Sequence, residues 1–67
     1  MKIIVNDGER DVAAEATLTS LMAEMRLAER RGVAVSLNGT VVPRRAWPQQ
    51  MLEAGDRVLV IQAAQGG

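Results

Sequence analysis

Val33-Ala34-Val35-Ser36-Leu37-Asn38-Gly39-Thr40-Val41-Val42-Pro43 is the stretch on which the fold turns. Val33, Val35 and Leu37 alternate with Ala34 and Ser36, the period of a half-buried strand. Asn38-Gly39 follows at once, and both residues accept the positive φ that a tight hairpin requires. Thr40-Val41-Val42 returns as the partner strand and stops at Pro43, which has no N–H to give a ladder. Upstream, Thr17 stands before Leu18, Leu21, Met22 and Met25, an i, i+3, i+4, i+7 stripe. That spacing predicts an amphipathic helix with Thr17 as N-cap and Gly32 as its stop. Lys2-Ile3-Ile4-Val5, then Asn6-Asp7-Gly8, predicts an opening strand and turn, with Arg10 to Ala13 returning as a polar edge strand. Downstream, Pro43 to Pro48 reads as a loop or one helical turn that Pro48 ends. Gly55-Asp56 reads as a turn into the strand Arg57-Val58-Leu59-Val60-Ile61-Gln62.

The order is thus β-β-α-β-β-(turn)-β. If the first and last strands pair in parallel, one helix lies across one face of a single sheet. The expected fold is α+β, a β-grasp or ubiquitin-like architecture. It has a mixed four- to five-stranded sheet, one main helix packed on one face and a flexible diglycine tail. Residues 1–62 form the domain and residues 63–67 the tail. Period-2 reading puts Ile3, Val5, Val35, Leu37, Val58 and Val60 under the helix, against Leu18, Leu21, Met22 and Met25. Ile4, Leu59 and Ile61 are left on the open face, adjacent where the two strands pair, and are read as a protein-docking patch. Trp47 is the only aromatic residue and is expected to cap one end of the core.

Composition narrows the function. The chain has 67 residues, 48% of them apolar, with eight basic and eight acidic side chains and neither Cys nor His. It is one small domain without a thiolate nucleophile, an imidazole base or a zinc finger. Zero net charge argues against nucleic acid, which selects clustered positive charge. The apolar runs are too short to span a membrane, and Met1 to Asn6 lacks a signal-peptide stretch, so a cytoplasmic protein is expected. The pairs Glu9 with Asp11 and Glu53 with Asp56 read as turn or edge carboxylates without an acid/base or metal role. Arg44-Arg45 reads as a solvated pair.

Gly66-Gly67 carries the sharpest chemistry. Without Cβ atoms, a diglycine end can thread a narrow channel and present its carboxylate. Five residues after Gln62 span at most about 17 Å, at roughly 3.4 Å each. A carboxylate becomes electrophilic once activated as a mixed anhydride with AMP, and a sulfur nucleophile then converts it to a thiocarboxylate. The same terminus also fits a ubiquitin-like modifier joined to lysines, whereas a passive interaction module would tolerate its loss.

Over its whole length the chain resembles the thiamine-biosynthesis sulfur carrier proteins, the ThiS family. The resemblance rests on Met1-Lys2-Ile3-Ile4-Val5-Asn6, Thr17-Leu18, Leu37-Asn38-Gly39-Thr40-Val41-Val42-Pro43-Arg44 with Trp47, Gly55-Asp56, Val58 to Gln62, and Gly66-Gly67. Ala63-Ala64-Gln65 is less bulky than the family pattern suggests. The resemblance implies a carrier, not an enzyme, with no bound cofactor. A ThiF-like adenylyltransferase would consume ATP to adenylate Gly67, with Gln65 and Gly66 threading its channel. Sulfur derived from a cysteine desulfurase would give the thiocarboxylate, and a ThiG-like thiazole synthase would accept it. The free carrier is expected to be monomeric. A molybdopterin-type carrier is the alternative within the class.

Overall fold

Two hairpins of the same kind frame the sheet. The computed structural model describes residues 1–63. Strand β1 (Lys2–Val5) turns through Asn6 and Asp7, both at positive φ (50° and 70°), into β2 (Gly8–Asp11). Strands β3 (Val33–Leu37) and β4 (Thr40–Val42) are joined by Asn38 and Gly39, at φ 51° and 89°. Positive φ at both central residues is the demand of a two-residue hairpin whose twist matches its strands. Strand β2 begins two residues earlier than Arg10 because this loop has only two residues, so pairing starts at once with Val5 opposite Gly8.

Strand β5 (Arg57–Gln62) enters between the hairpins. The sheet order is β2-β1-β5-β3-β4. β1 and β5 run parallel, with Val5 opposite Val58, and β3 and β5 run antiparallel from Val33–Gln62 to Leu37–Val58. This is a five-stranded mixed sheet in the β-grasp arrangement. The two asparagines that turn the hairpins also lock the central strand. Asn6 Oδ1 accepts from Val60 N–H (2.8 Å), and Asn38 Oδ1 accepts from Arg57 N–H (2.9 Å).

Helix α1 (Leu18–Glu24) begins at a capping box, in which Ser20 N–H donates to Thr17 Oγ1 and Thr17 N–H donates to Ser20 Oγ. It ends eight residues before Gly32. Arg26, at φ 62°, leaves the helical region. Leu27 N–H then donates to Met22 O (2.8 Å) and Arg26 N–H to Ala23 O (3.0 Å). This paired closure is the Schellman motif, which satisfies the last carbonyls and packs an apolar residue back on the final turn. Leu27 fills that role, partly buried against the core. Gly32, at φ 75°, instead turns the chain into β3.

Ile3, Val35, Val58 and Val60 meet Leu18, Leu21 and Met22 in the core, with Val5, Leu37 and Met25 partly buried at its margin. Val12, Ala16, Val42, Trp47 and Leu52 complete it. Trp47 sits on a 3₁₀ helix (Arg44–Gln49), 3% exposed, and its Nε1–H donates to Val42 O at 2.9 Å. The 3₁₀ helix runs through Pro48 rather than stopping there, and Gln50 N–H still reaches Trp47 O. A proline omits only its own bond, so the anchored indole can hold the turn together. The Arg44 guanidinium lies 4.6 Å from the Trp47 ring centroid and donates to the Ala28 and Arg30 carbonyls. It therefore straps the segment after α1 to the core. Arg44 is thereby a structural residue rather than a merely solvated one.

Candidate functional site

Alternation along β5 decides what the open face carries. Val58 and Val60 point into the core, so Arg57, Leu59 and Ile61 point away from the helix. Leu59 is 47% exposed and Ile61 56% exposed. Across β3, Ser36 stands opposite Leu59 and Ala34 opposite Ile61. One strand further, Val41 stands opposite Ser36 and is 70% exposed. Leu59, Ile61, Ala34 and Val41 thus line one shallow apolar depression.

Ile4 sits differently. The parallel register sets it opposite Arg57 and, on its other side, opposite Glu9. It is half-buried, diagonal to Leu59 and outside the Leu59–Ile61 row. The apolar row extends toward β4 instead of β1. Val41 was legible in principle, since counting outward from Asn38-Gly39 pairs Leu37 with Thr40 and Ser36 with Val41. The charged rim carries ion pairs between Lys2 and Asp11 (3.3 Å) and between Arg57 and Asp7 (3.6 Å). Such exposed pairs contribute little stability.

At the end of the same strand, the ladder runs one residue past Gln62. Ala63 N–H donates to Gly32 O at 2.8 Å. Gln65, Gly66 and Gly67, the residues assigned to threading and sulfur carriage, lie outside the described residues. Among the described residues, no group of three or more acidic or other ligating side chains could hold a metal ion. No helix among them is long and apolar enough to cross a membrane. The described part offers an apolar face and a strand end tied through Ala63 to Gly32.

The ThiS family model matches residues 3–67. The sulfur carrier protein ThiS of Escherichia coli (strain K12) is 33% identical over 67 residues, the full length of both chains. A thiazole synthase of Paramagnetospirillum magneticum (strain ATCC 700264 / AMB-1) is 31% identical over the whole of this chain, which spans only 20% of that protein. Among solved structures, the crystal structure of the thiamine biosynthesis protein ThiS from Geobacter metallireducens superposes with a TM-score of 0.83 at 30% identity, covering all of both chains.

Proposed function

The chain belongs to the ThiS family, and from that premise we propose that it carries sulfur for building the thiazole ring of thiamine, on the carboxylate of Gly67. The full-length match to a sulfur carrier protein is the observation that carries this reading. The chemistry is supplied by partners. A carboxylate oxygen of Gly67 attacks the α-phosphate of ATP on a ThiF-like adenylyltransferase, and pyrophosphate leaves. A sulfide-equivalent sulfur, derived from a cysteine desulfurase, attacks the acyl carbon and AMP leaves, so one oxygen is replaced by sulfur. The thiocarboxylate sulfur then passes to a ThiG-like thiazole synthase. The stretch similar to this chain within a thiazole synthase supports that enzyme as the acceptor.

The absence of Cys from the sequence fits this division of labour. A chain without a thiol cannot carry sulfur as a persulfide, so the load is assigned to an activated carboxylate, that of Gly67. The open face with Leu59 and Ile61 is the surface assigned to docking these partners.

Intact mass tests the reading. Incubation with ATP, the adenylating enzyme and a sulfur source should shift the mass by one oxygen-for-sulfur exchange. Deleting Gly67 should abolish the shift. No shift, in an assay that loads a known carrier, would overturn the proposal. Isopeptide-linked ladders on target proteins would assign the terminus to protein modification instead.

A further inference from the structure

Asn38 is tied to the start of β5 by three bonds. Its backbone N–H donates to Arg57 O at 2.7 Å, and its Oδ1 accepts from Arg57 N–H at 2.9 Å. Its Nδ2 donates to Asp56 Oδ1 at 3.0 Å. The other Asp56 oxygen, Oδ2, accepts from Glu53 N–H at 2.8 Å. Both polar atoms of the Asn38 side chain are therefore held by residues 19 and 18 positions away. The next residue in the chain is Gly39, whose nitrogen no side chain shields. Asn38 and Gly39 are both exposed, and a Cβ built on Gly39 would meet nothing within 4 Å. Asparagine is a chemically labile residue. It is most labile before glycine, where the following backbone nitrogen reaches the side-chain amide carbon unhindered.

We propose that Asn38 is a deamidation site of this protein, guarded in the folded chain by Asp56. In the reaction the Gly39 nitrogen attacks the Asn38 amide carbon. The Gly39 N–H proton and the amide NH2 leave together as ammonia, and a succinimide closes. Water then opens the ring at either carbonyl, leaving aspartate or isoaspartate at position 38. The chemistry needs no partner enzyme. Ring closure requires the amide carbon to swing from β5 onto the hairpin's own backbone, so the side chain must first release Asp56 and Arg57. The guard does not re-form afterwards. Aspartate at position 38 puts a carboxylate oxygen where the amide donor faced Asp56 Oδ1 at 3.0 Å, two acceptors with no proton between them. Isoaspartate adds a methylene to the backbone of a loop that has only two residues. Either product loosens the tie between the β3–β4 hairpin and β5. That tie stands beside Ser36, Arg57 and Leu59, which with Gly39 line one depression on the open face. Deamidation thus ages the molecule at the edge of the surface assigned to docking.

Peptide mapping by mass spectrometry, on the purified chain held at neutral pH, follows the amide-to-acid exchange at Asn38. The unstructured peptide Ser36 to Val41 is the reference. A hydrogen bond to a charged acceptor corresponds to about tenfold, so the folded chain should react at least about tenfold more slowly than the peptide. Asp56→Asn keeps an oxygen for Glu53 N–H but turns its own amide donor toward Asn38, and should speed the exchange about tenfold. Asp56→Ala should do the same. Thr17→Ala weakens the fold without touching Asn38, and should leave the rate unchanged. A wild-type rate equal to the peptide's, no acceleration by Asp56→Asn, or equal acceleration by Thr17→Ala would each overturn the guard. No exchange at Asn38 in Asp56→Asn, after many half-lives of the peptide, would overturn the site itself. Urea denaturation reads the effect of the product. Asn38→Asp copies the aspartyl form and should lower the folding constant about tenfold. Adding Asp56→Asn again sets a donor opposite an acceptor and should recover most of that loss. Additive losses in the double variant would overturn the pairing of positions 38 and 56.

Discussion

Arg26 closes the helix in a conformation, φ 62°, that L-residues with a Cβ adopt at a cost of roughly 1–2 kcal/mol. The closure needs a left-handed residue at that point, and glycine is the usual occupant. Arg26→Gly removes the steric cost but gives the unfolded chain more freedom, worth about 0.4–1 kcal/mol in the opposite direction. The net expectation is a stabilisation of about 0.5–1 kcal/mol, read as a melting temperature raised by roughly 2–8 °C in a domain of this size. Scanning calorimetry checks it. A lowered melting temperature would mean that the arginine side chain, exposed in the structure, contributes more than its backbone costs.

Helix α1 has only seven residues, too few to be stable alone, and it persists because Leu18, Leu21 and Met22 are fully buried. Its start is set by the reciprocal Thr17–Ser20 bonds. Thr17→Ala should cost about 1 kcal/mol, the usual loss of a cap, measured by urea denaturation with an unchanged m-value. The start was legible because a hydroxyl residue immediately preceding an apolar stripe has one natural role. The end was not legible. Met25 continues the stripe, no glycine appears before Gly32, and arginine carries no signal for a left-handed turn. Both hairpins were readable from Asn6-Asp7 and Asn38-Gly39, since their side chains tolerate the required φ. The other roles of these asparagines, bonding Val60 and Arg57, were hidden because they join residues 54 and 19 positions apart. Arg44 was misjudged for the same reason: its carbonyl partners Ala28 and Arg30 lie 16 and 14 positions away.

At the scale of the whole molecule, the two faces of one sheet differ in burial. The helix face is closed by a core that draws on β1, β3, β4 and β5, with Val12 just after β2, whereas Leu59, Ile61 and Val41 stay exposed on the other side. Substitutions on that face should therefore leave folding nearly untouched. The double variant Leu59→Ser with Ile61→Ser should shift unfolding free energy by no more than about 1 kcal/mol, since surface changes stay within about 0.5 kcal/mol each. Binding should respond far more strongly. Fully burying such a side chain contributes about 1.5–3 kcal/mol, and about half of each is still exposed, so roughly 1 kcal/mol apiece is available on docking. Titration calorimetry with the ThiF-like enzyme should show Kd weakened about ten- to hundredfold. Ile4→Ser, off the row and opposite Arg57, should weaken it less. Equal binding by the wild type and the double variant would remove the open face from partner docking. In that case the tail alone would have to supply the affinity, and the Gly67 deletion would then abolish binding as well as loading.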